Sequence, residues 1–460
     1  MADHRDNRHD DGLEGWLNER IDPLAPPPGT FELIKRRARR RKYRRLAITA
    51  TSAAVIVAAA VTVPQVVNLP LSSAPTVAAP AGRDSSAASA TTGEDGRSRS
   101  APSVQASASA PLAPVPPNFQ PTSVTFVGTE TGWVIGQAGT PGQCATAFCT
   151  SVARTDDAGK TWAGVHAPVT GPADGATGVS QIRFLDLRDG WAFGPGLYVT
   201  HDGGADWSQV GTHGLRVTSL ETVGSRVFAL LASCTGTGTA FAGDCTSFTL
   251  YSAPAAGGDW TQVGASTSGL TDGGRHEAAA LVLTGSRGFL LAPGGQLYAG
   301  PVNGGGAWKL VNPIISACTV GAPQADGHPA GALLGAVNAR DLILACASGG
   351  KERIFSSPNG GVSWLEMAAA PNQGTATSVA ASPAESVVLG TSAGLGLLPA
   401  GDIAWQPATL GAQAPAGGFS YVGMTTDKQG IALPANPASG TVWFTFDGGQ
   451  TWRPSPVTGS

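Results

Sequence analysis

Residues 155–162 read TDDAGKTW, residues 200–207 read THDGGADW and residues 445–452 read TFDGGQTW. A fourth stretch, 357–364, reads SPNGGVSW, with Asn359 where the others carry Asp157, Asp202 and Asp447. The spacing has a physical logic. An Asp or Asn side chain caps backbone N–H groups of its own turn. A glycine two residues on (Gly159, Gly204, Gly361, Gly449) supplies a positive φ at low cost. The opening Ser or Thr adds a second turn bond, and the closing tryptophan (Trp162, Trp207, Trp364, Trp452) buries a large apolar surface beside the hairpin. Asn303 and Trp308 keep a reduced version, and the stretches ending at Trp260 and Trp405 keep little beyond a polar turn and the Trp.

The seven tryptophans lie 45, 53, 48, 56, 41 and 47 residues apart. A period of about 40–50 residues suits a four-stranded propeller blade. A second repeat lies upstream: Thr131-Gly132-Trp133-Val134 parallels Asp189-Gly190-Trp191-Ala192, with weaker echoes at Arg287–Leu291 and Gln429–Leu433. Short apolar runs at Val124–Val127, Ile182–Leu185 and Ala280–Leu283 come before these. Each unit therefore reads as strand, turn, strand, third strand, polar turn and Trp-bearing fourth strand. The fold expected is all-β: a seven-bladed β-propeller of four-stranded antiparallel blades, rather than six or eight. With 63 Gly, 34 Pro and only 13% charged residues, the composition fits a turn-rich β protein.

These octapeptides resemble the Asp-box, or BNR repeat, and the string FLDLRDGWAFGPGLYVTHDGGADW at 184–207 is similar to the photosystem II assembly-factor branch of BNR-like propellers. That resemblance implies a fold more than a function. It also raises sialidases, which share the repeat but place it away from their catalytic centre. Their chemistry uses an arginine triad, a tyrosine nucleophile paired with a glutamate, and an aspartic acid/base. Their Arg-Ile-Pro signature is absent; Arg353-Ile354-Phe355 reads as a third strand leading into the turn at Asn359. Asp157, Asp202 and Asp447 occupy equivalent places in separate blades, too far apart to act as a carboxylate pair. No catalytic residue, cofactor site or metal site is therefore expected. The histidines at 166, 201, 213, 276 and 328 are scattered, without ligand spacing.

The N-terminal part is of another kind. Lys35–Arg45 carries nine basic residues in eleven, and Leu46–Val67 follows without a charge. Twenty-two residues span about 33 Å as a helix, enough for a hydrocarbon core of about 30 Å. Basic residues are retained on the cytoplasmic side. The expected order is a basic cytoplasmic tail at 1–45, a transmembrane helix at 46–67, a disordered Ala/Ser/Pro/Thr-rich linker at 68–118, and an extracytoplasmic propeller at 119–460. The alternative for 46–67 is a cleaved signal peptide. Residues 1–45 hold 12 basic against 8 acidic residues and the remainder 17 against 24, so the propeller offers no basic footprint for nucleic acid.

All six cysteines follow the apolar segment, where an even count points to disulfides. Proximity favours Cys144–Cys149, Cys234–Cys245 and Cys318–Cys346. The expected function is non-catalytic: a single-pass membrane protein at the cell membrane whose propeller binds a protein or glycan. The candidate loops are Gly136–Thr150, Ser233–Ser247 and Cys318–Gly331. The alternatives are a sialidase-type glycoside hydrolase and a transmembrane sensor acting through the tail around Trp16.

Topology is testable directly. A reporter fused after Thr458 is expected outside the membrane, and one fused after Gly29 inside. Replacing the basic residues between Lys35 and Arg45 by Gln scrambles that orientation. A mature chain beginning near Gln65 would contradict the anchor.

Overall fold

The computed structural model describes residues 113–139, 149–170, 178–234, 245–271, 279–292, 295–312, 332–348, 351–367, 374–402 and 404–459. The tail, the apolar segment at 46–67, and most of the linker lie outside them, as do Cys144 and Cys318. Among the described residues no helix is long and apolar enough to cross a membrane.

Seven antiparallel sheets follow one another along the chain, at 120–165, 181–209, 216–262, 280–312, 333–366, 376–407 and 419–456. They are numbered here as blades 1 to 7. Each has four strands paired in chain order, the first of each touching the first of a neighbouring blade around most of the ring. The expected seven-bladed propeller is the fold observed. The run Ala280–Leu283 is a first strand, and Arg287–Leu291 is the second strand beside it. Arg353-Ile354-Phe355 lies in the third strand of blade 5.

The hydrophobic core is divided into seven clusters, and each lies between two blades rather than within one. Trp308 of blade 4 packs with Phe228, Leu230 and Phe248 of blade 3. Trp452 of blade 7 packs with Val388, Leu395 and Leu397 of blade 6. Trp162 of blade 1 packs with Val442 and Phe444 of blade 7. Trp207, Trp260, Trp364 and Trp405 take the same place at the other four interfaces. The sequence pattern placed each tryptophan beside its own hairpin; the structure uses it as a key set into the preceding blade. The outermost strands are too short to cover an indole, and several are only two residues long. The neighbouring sheet face supplies the cover.

Ring closure was not legible in the sequence. Blade 1 is built wholly from strands near the start of the propeller and blade 7 wholly from the end, so no strand is exchanged. The two flanks of the seven sheets instead pair with the outer edge of blade 1. Ala113 bridges Gly164 antiparallel, and Gly459 bridges Trp162 in parallel. The same parallel step occurs where Thr409–Leu410, leaving blade 6, lies along Thr451–Trp452 of blade 7. The C-terminal residues thus repeat an ordinary inter-blade connection. Gln429 of blade 7 also donates to the Thr129 carbonyl of blade 1 at 2.8 Å, and Ser455 donates to the Gly159 carbonyl. Composition assigned residues 113–118 to the linker, yet Val115 is buried in this closing interface with Val457.

Two losses of stability are expected in thermal or denaturant unfolding. Trp452→Ala leaves a cavity between blades 6 and 7 and costs about 3–5 kcal/mol. Truncation after Pro456 removes buried Val457 and the Gly459 bridge, and costs about 2 kcal/mol or more.

Candidate functional site

Each blade places its first-to-second and third-to-fourth connections on one face of the ring, and its second-to-third and inter-blade connections on the other. The first face is uniformly tight. None of its connections exceeds the seven residues of 156–162. In blade 1 the Asp157 carboxylate accepts from the Thr161 amide at 2.9 Å and the Thr161 hydroxyl at 2.6 Å, while Thr155 donates to it at 2.8 Å. The Thr155 hydroxyl accepts from the Gly159 amide at 2.9 Å. Blade 2 repeats this at Thr200, Asp202, Gly204 and Asp206, and blade 7 at Thr445, Asp447, Gly449 and Thr451. Asn359 makes the neutral version with Ser357, Gly361 and Ser363 in blade 5. In blade 4 only the contact from the Gly305 amide to Asn303 remains.

Each of the four full turns is tied back to its own blade, through Ala158 to Glu130, Gly203 to Arg188, Gly360 to Arg340 and Gly448 to Lys428. The three aspartates are therefore engaged in turn bonds. Burial pushes their carboxyls up, but the hydrogen bonds from the turn outweigh it and hold all three below the ordinary carboxylate value.

The opposite face carries the long connections: 139–148, 166–180, 235–244, 263–279 and 313–332. The described ends of two candidate loops, Gly136–Thr150 and Ser233–Ser247, belong to it, while Cys318–Gly331 lies outside the described residues. Cys234 and Cys245, the last register pair of their hairpin in blade 3, form the expected disulfide at the root of one loop. Cys149 and Cys346 are disulfide-bonded as well. Their expected partners, Cys144 and Cys318, lie outside the described residues.

The first strands line the channel. Strand register sets one tier of it, because the residue opposite the Gly-Trp position is Thr125 in blade 1, Arg183 in blade 2, Glu221 in blade 3, Val282 in blade 4, Gly335 in blade 5 and Gly423 in blade 7. Arg183 donates to Glu221 at 2.7 Å. Burial lowers the Arg183 guanidinium, but Glu221 and the nearby Tyr421 side chain of blade 7 together hold it above its ordinary value. The Arg183 and Glu221 side chains keep 18% and 29% of their surface open. Burial pushes the Glu221 carboxyl up, and the Arg183 charge only partly draws it back. A second shielded carboxylate, Glu352, accepts from the Ala376 amide at 3.0 Å between blades 5 and 6, and burial raises it too.

Sequence reading did not bring Arg183, Glu221 and Tyr421 together. The signal available was a charge on a first strand: Gln181-Ile182-Arg183-Phe184 places an arginine where Val282 and Gly335 stand elsewhere. Only alignment on the Gly-Trp repeat puts it in register with Glu221.

No family model matches the chain, and no curated protein matches it. Among solved structures, a YCF48 protein bound to a D1 peptide is 16% identical, with a TM-score of 0.41 over 60% of this chain and 79% of that one. A streptogramin B lyase is 11% identical, with a TM-score of 0.44 over 73% of this chain and 94% of that one. A GH74 enzyme from Niastella koreensis is 12% identical, with a TM-score of 0.35 over 74% of this chain and 66% of that one. Enzymes and a peptide-bound protein stand side by side in this set, and at this level of similarity no activity transfers to the chain.

The aspartate turns give a pH dependence. Their folded-state carboxyls lie below the ordinary value, so their contribution is present above that value and is lost as pH falls through the folded ones. Asp447→Ala is expected to cost about 1–2 kcal/mol at neutral pH, as for a lost cap. The gap between variant and wild type narrows below about pH 4. Urea unfolding from pH 7 to pH 3 measures it; a constant gap would contradict the role of the charge.

Proposed function

We propose that the chain is a membrane-tethered, extracytoplasmic propeller of the Asp-box kind that binds a protein or glycan through its long-loop face, without catalysis. The observation that carries this reading is the asymmetry of the two faces. One is trimmed to short, internally bonded turns. The other collects every long connection and a disulfide at a loop root. Loops held on a rigid scaffold are where recognition is carried. The basic run and the apolar segment at 46–67 support the tether and an extracytoplasmic propeller.

One observation favours the alternative of a sialidase-type glycoside hydrolase: an arginine, a glutamate and a tyrosine converge in the channel. That chemistry needs a tyrosine nucleophile activated by its glutamate. Here Glu221 accepts from Arg183 at 2.7 Å instead. Turnover of a fluorogenic glycoside by the full-length chain, abolished in Tyr421→Phe, would establish the enzyme.

The binding reading is tested by photocrosslinking in producing cells. Crosslinkers at Thr239 and Gln324, in the long loops, are expected to trap one reproducible species. Crosslinkers at Lys160 and Gln450, on the turn face, trap none. Equal yields from both faces, or no adduct from the loops, would contradict it.

A further inference from the structure

The reduced turn of blade 4 leaves a reactive pair of residues exposed. Pro301 stands where the full turns open with Thr or Ser, and Ala307 stands where blades 1, 5 and 7 carry Thr161, Ser363 and Thr451. Neither offers a hydroxyl to the Asn303 carboxamide. Among the described residues that carboxamide has one hydrogen bond, accepted from the Gly305 amide at 3.0 Å, and none through Nδ2. Asn303 and Gly304 are both exposed, and Gly304 has a φ of +80°.

The sequence has one other Asn-Gly pair, Asn359-Gly360, at the same place in the turn of blade 5. There every group is engaged. Gly360 is buried and donates to the Arg340 carbonyl at 2.7 Å. Asn359 Oδ1 accepts from the Ser357 hydroxyl and the Ser363 amide, each at 3.0 Å, and Nδ2 donates to the Ser363 hydroxyl at 2.9 Å. Among the described residues the Gly304 amide has no such tie to its own blade. What lies against Gly304 is a cation. A Cβ there would be 2.6 Å from Arg226 Cζ, whereas one on Gly360 would be 3.9 Å from Arg287 Nη1.

An asparagine side chain is open to attack by the next backbone nitrogen when a glycine follows, because no Cβ hinders the approach and the backbone turns freely. A buried, hydrogen-bonded amide must first give up its partner. An exposed amide need not, and a guanidinium beside it favours loss of its proton.

We propose that Asn303-Gly304 is a site of spontaneous deamidation in the folded protein, while Asn359-Gly360 is protected. The Gly304 amide gives its proton to water, and its nitrogen bonds to Asn303 Cγ. The Cγ–Nδ2 bond breaks, and the amine takes up a proton and leaves as ammonia. Water then opens the cyclic imide. Cleavage at Cγ leaves an aspartate, and cleavage at the main-chain carbonyl carbon leaves an isoaspartate whose backbone runs through Cγ. Water is the only co-reactant, and nothing is oxidised or reduced. The aspartate form places a carboxylate beside Arg226, at the position that Asp157, Asp202 and Asp447 hold in their own turns. The isoaspartate form lengthens the chain between Pro301 and Trp308, which the bond from Trp308 Nε1 to the Pro301 carbonyl joins at 3.1 Å.

The test incubates the full-length chain in detergent, at mildly alkaline pH, in water enriched in heavy oxygen. One sample is folded and one is in urea. Mass spectrometry of the two peptides measures label entering at 303 and at 359, and isoaspartyl methyltransferase detects the isoaspartate. In the folded chain, label is expected at 303 about tenfold faster than at 359, or more. In urea the two rates are expected to converge, because both asparagines are followed by Gly-Gly. Equal rates in the folded chain, a faster reaction at 359, or no label at 303 would overturn the proposal. A tenfold ratio that persists in urea would overturn it too, since the difference would then belong to the local sequence and not to the fold.

Discussion

The contact on which the ring depends is the one between the glycine of three of the four full turns and the blade before it. A Cβ on Gly159 would lie 2.3 Å from Phe444, and one on Gly361 would lie 2.1 Å from Leu297. A Cβ on Gly449 would lie 2.9 Å from Val388. All three glycines have φ between +80° and +94°. Backbone shape and close approach therefore demand the same residue. The Asp and Thr bonds hold the turn in that shape, and the tryptophan three residues on is carried into the same interface. Turn chemistry and inter-blade packing are thus one device. Gly159 on Phe444 shows that the device closes the ring as well as building it.

The repeat was legible because its residues answer to local constraints. Thr155, Asp157, Gly159 and Thr161 are linked by hydrogen bonds within seven positions, so their spacing survives in the sequence. The blade count followed from the tryptophans, even at Trp260 and Trp405 where the turn is worn. What the tryptophans touch was not legible, since the indole of Trp308 meets Phe228, eighty residues earlier in the chain. The channel trio was hidden for the same reason. Arg183, Glu221 and Tyr421 belong to three blades, and only closure of the ring brings the last to the first two. The closing bridges at Ala113 and Gly459 depend on backbone pairing, which leaves no side-chain pattern to read.

The two faces divide the work. Tight turns fix the blades relative to one another and leave little freedom for variation. The opposite face is released from that duty, because the inter-blade connections need only reach the next first strand. Length can accumulate there without disturbing the interfaces, and Cys234–Cys245 limits the freedom of one such loop at its root. The channel lies between these regimes. Its wall is as fixed as the blades, yet Arg183 and Glu221 remain partly open within it.

Native-state hydrogen exchange at the amides of Gly159, Gly204, Gly361 and Gly449 tests the interlocked ring most directly. These amides donate to buried threonine or serine hydroxyls beneath the interfaces. If turn and interface are one device, all four exchange only through global unfolding, with the same free energy as the central strands. Exchange of these glycines through local opening, while the strands of the same blades stay protected, would contradict the account.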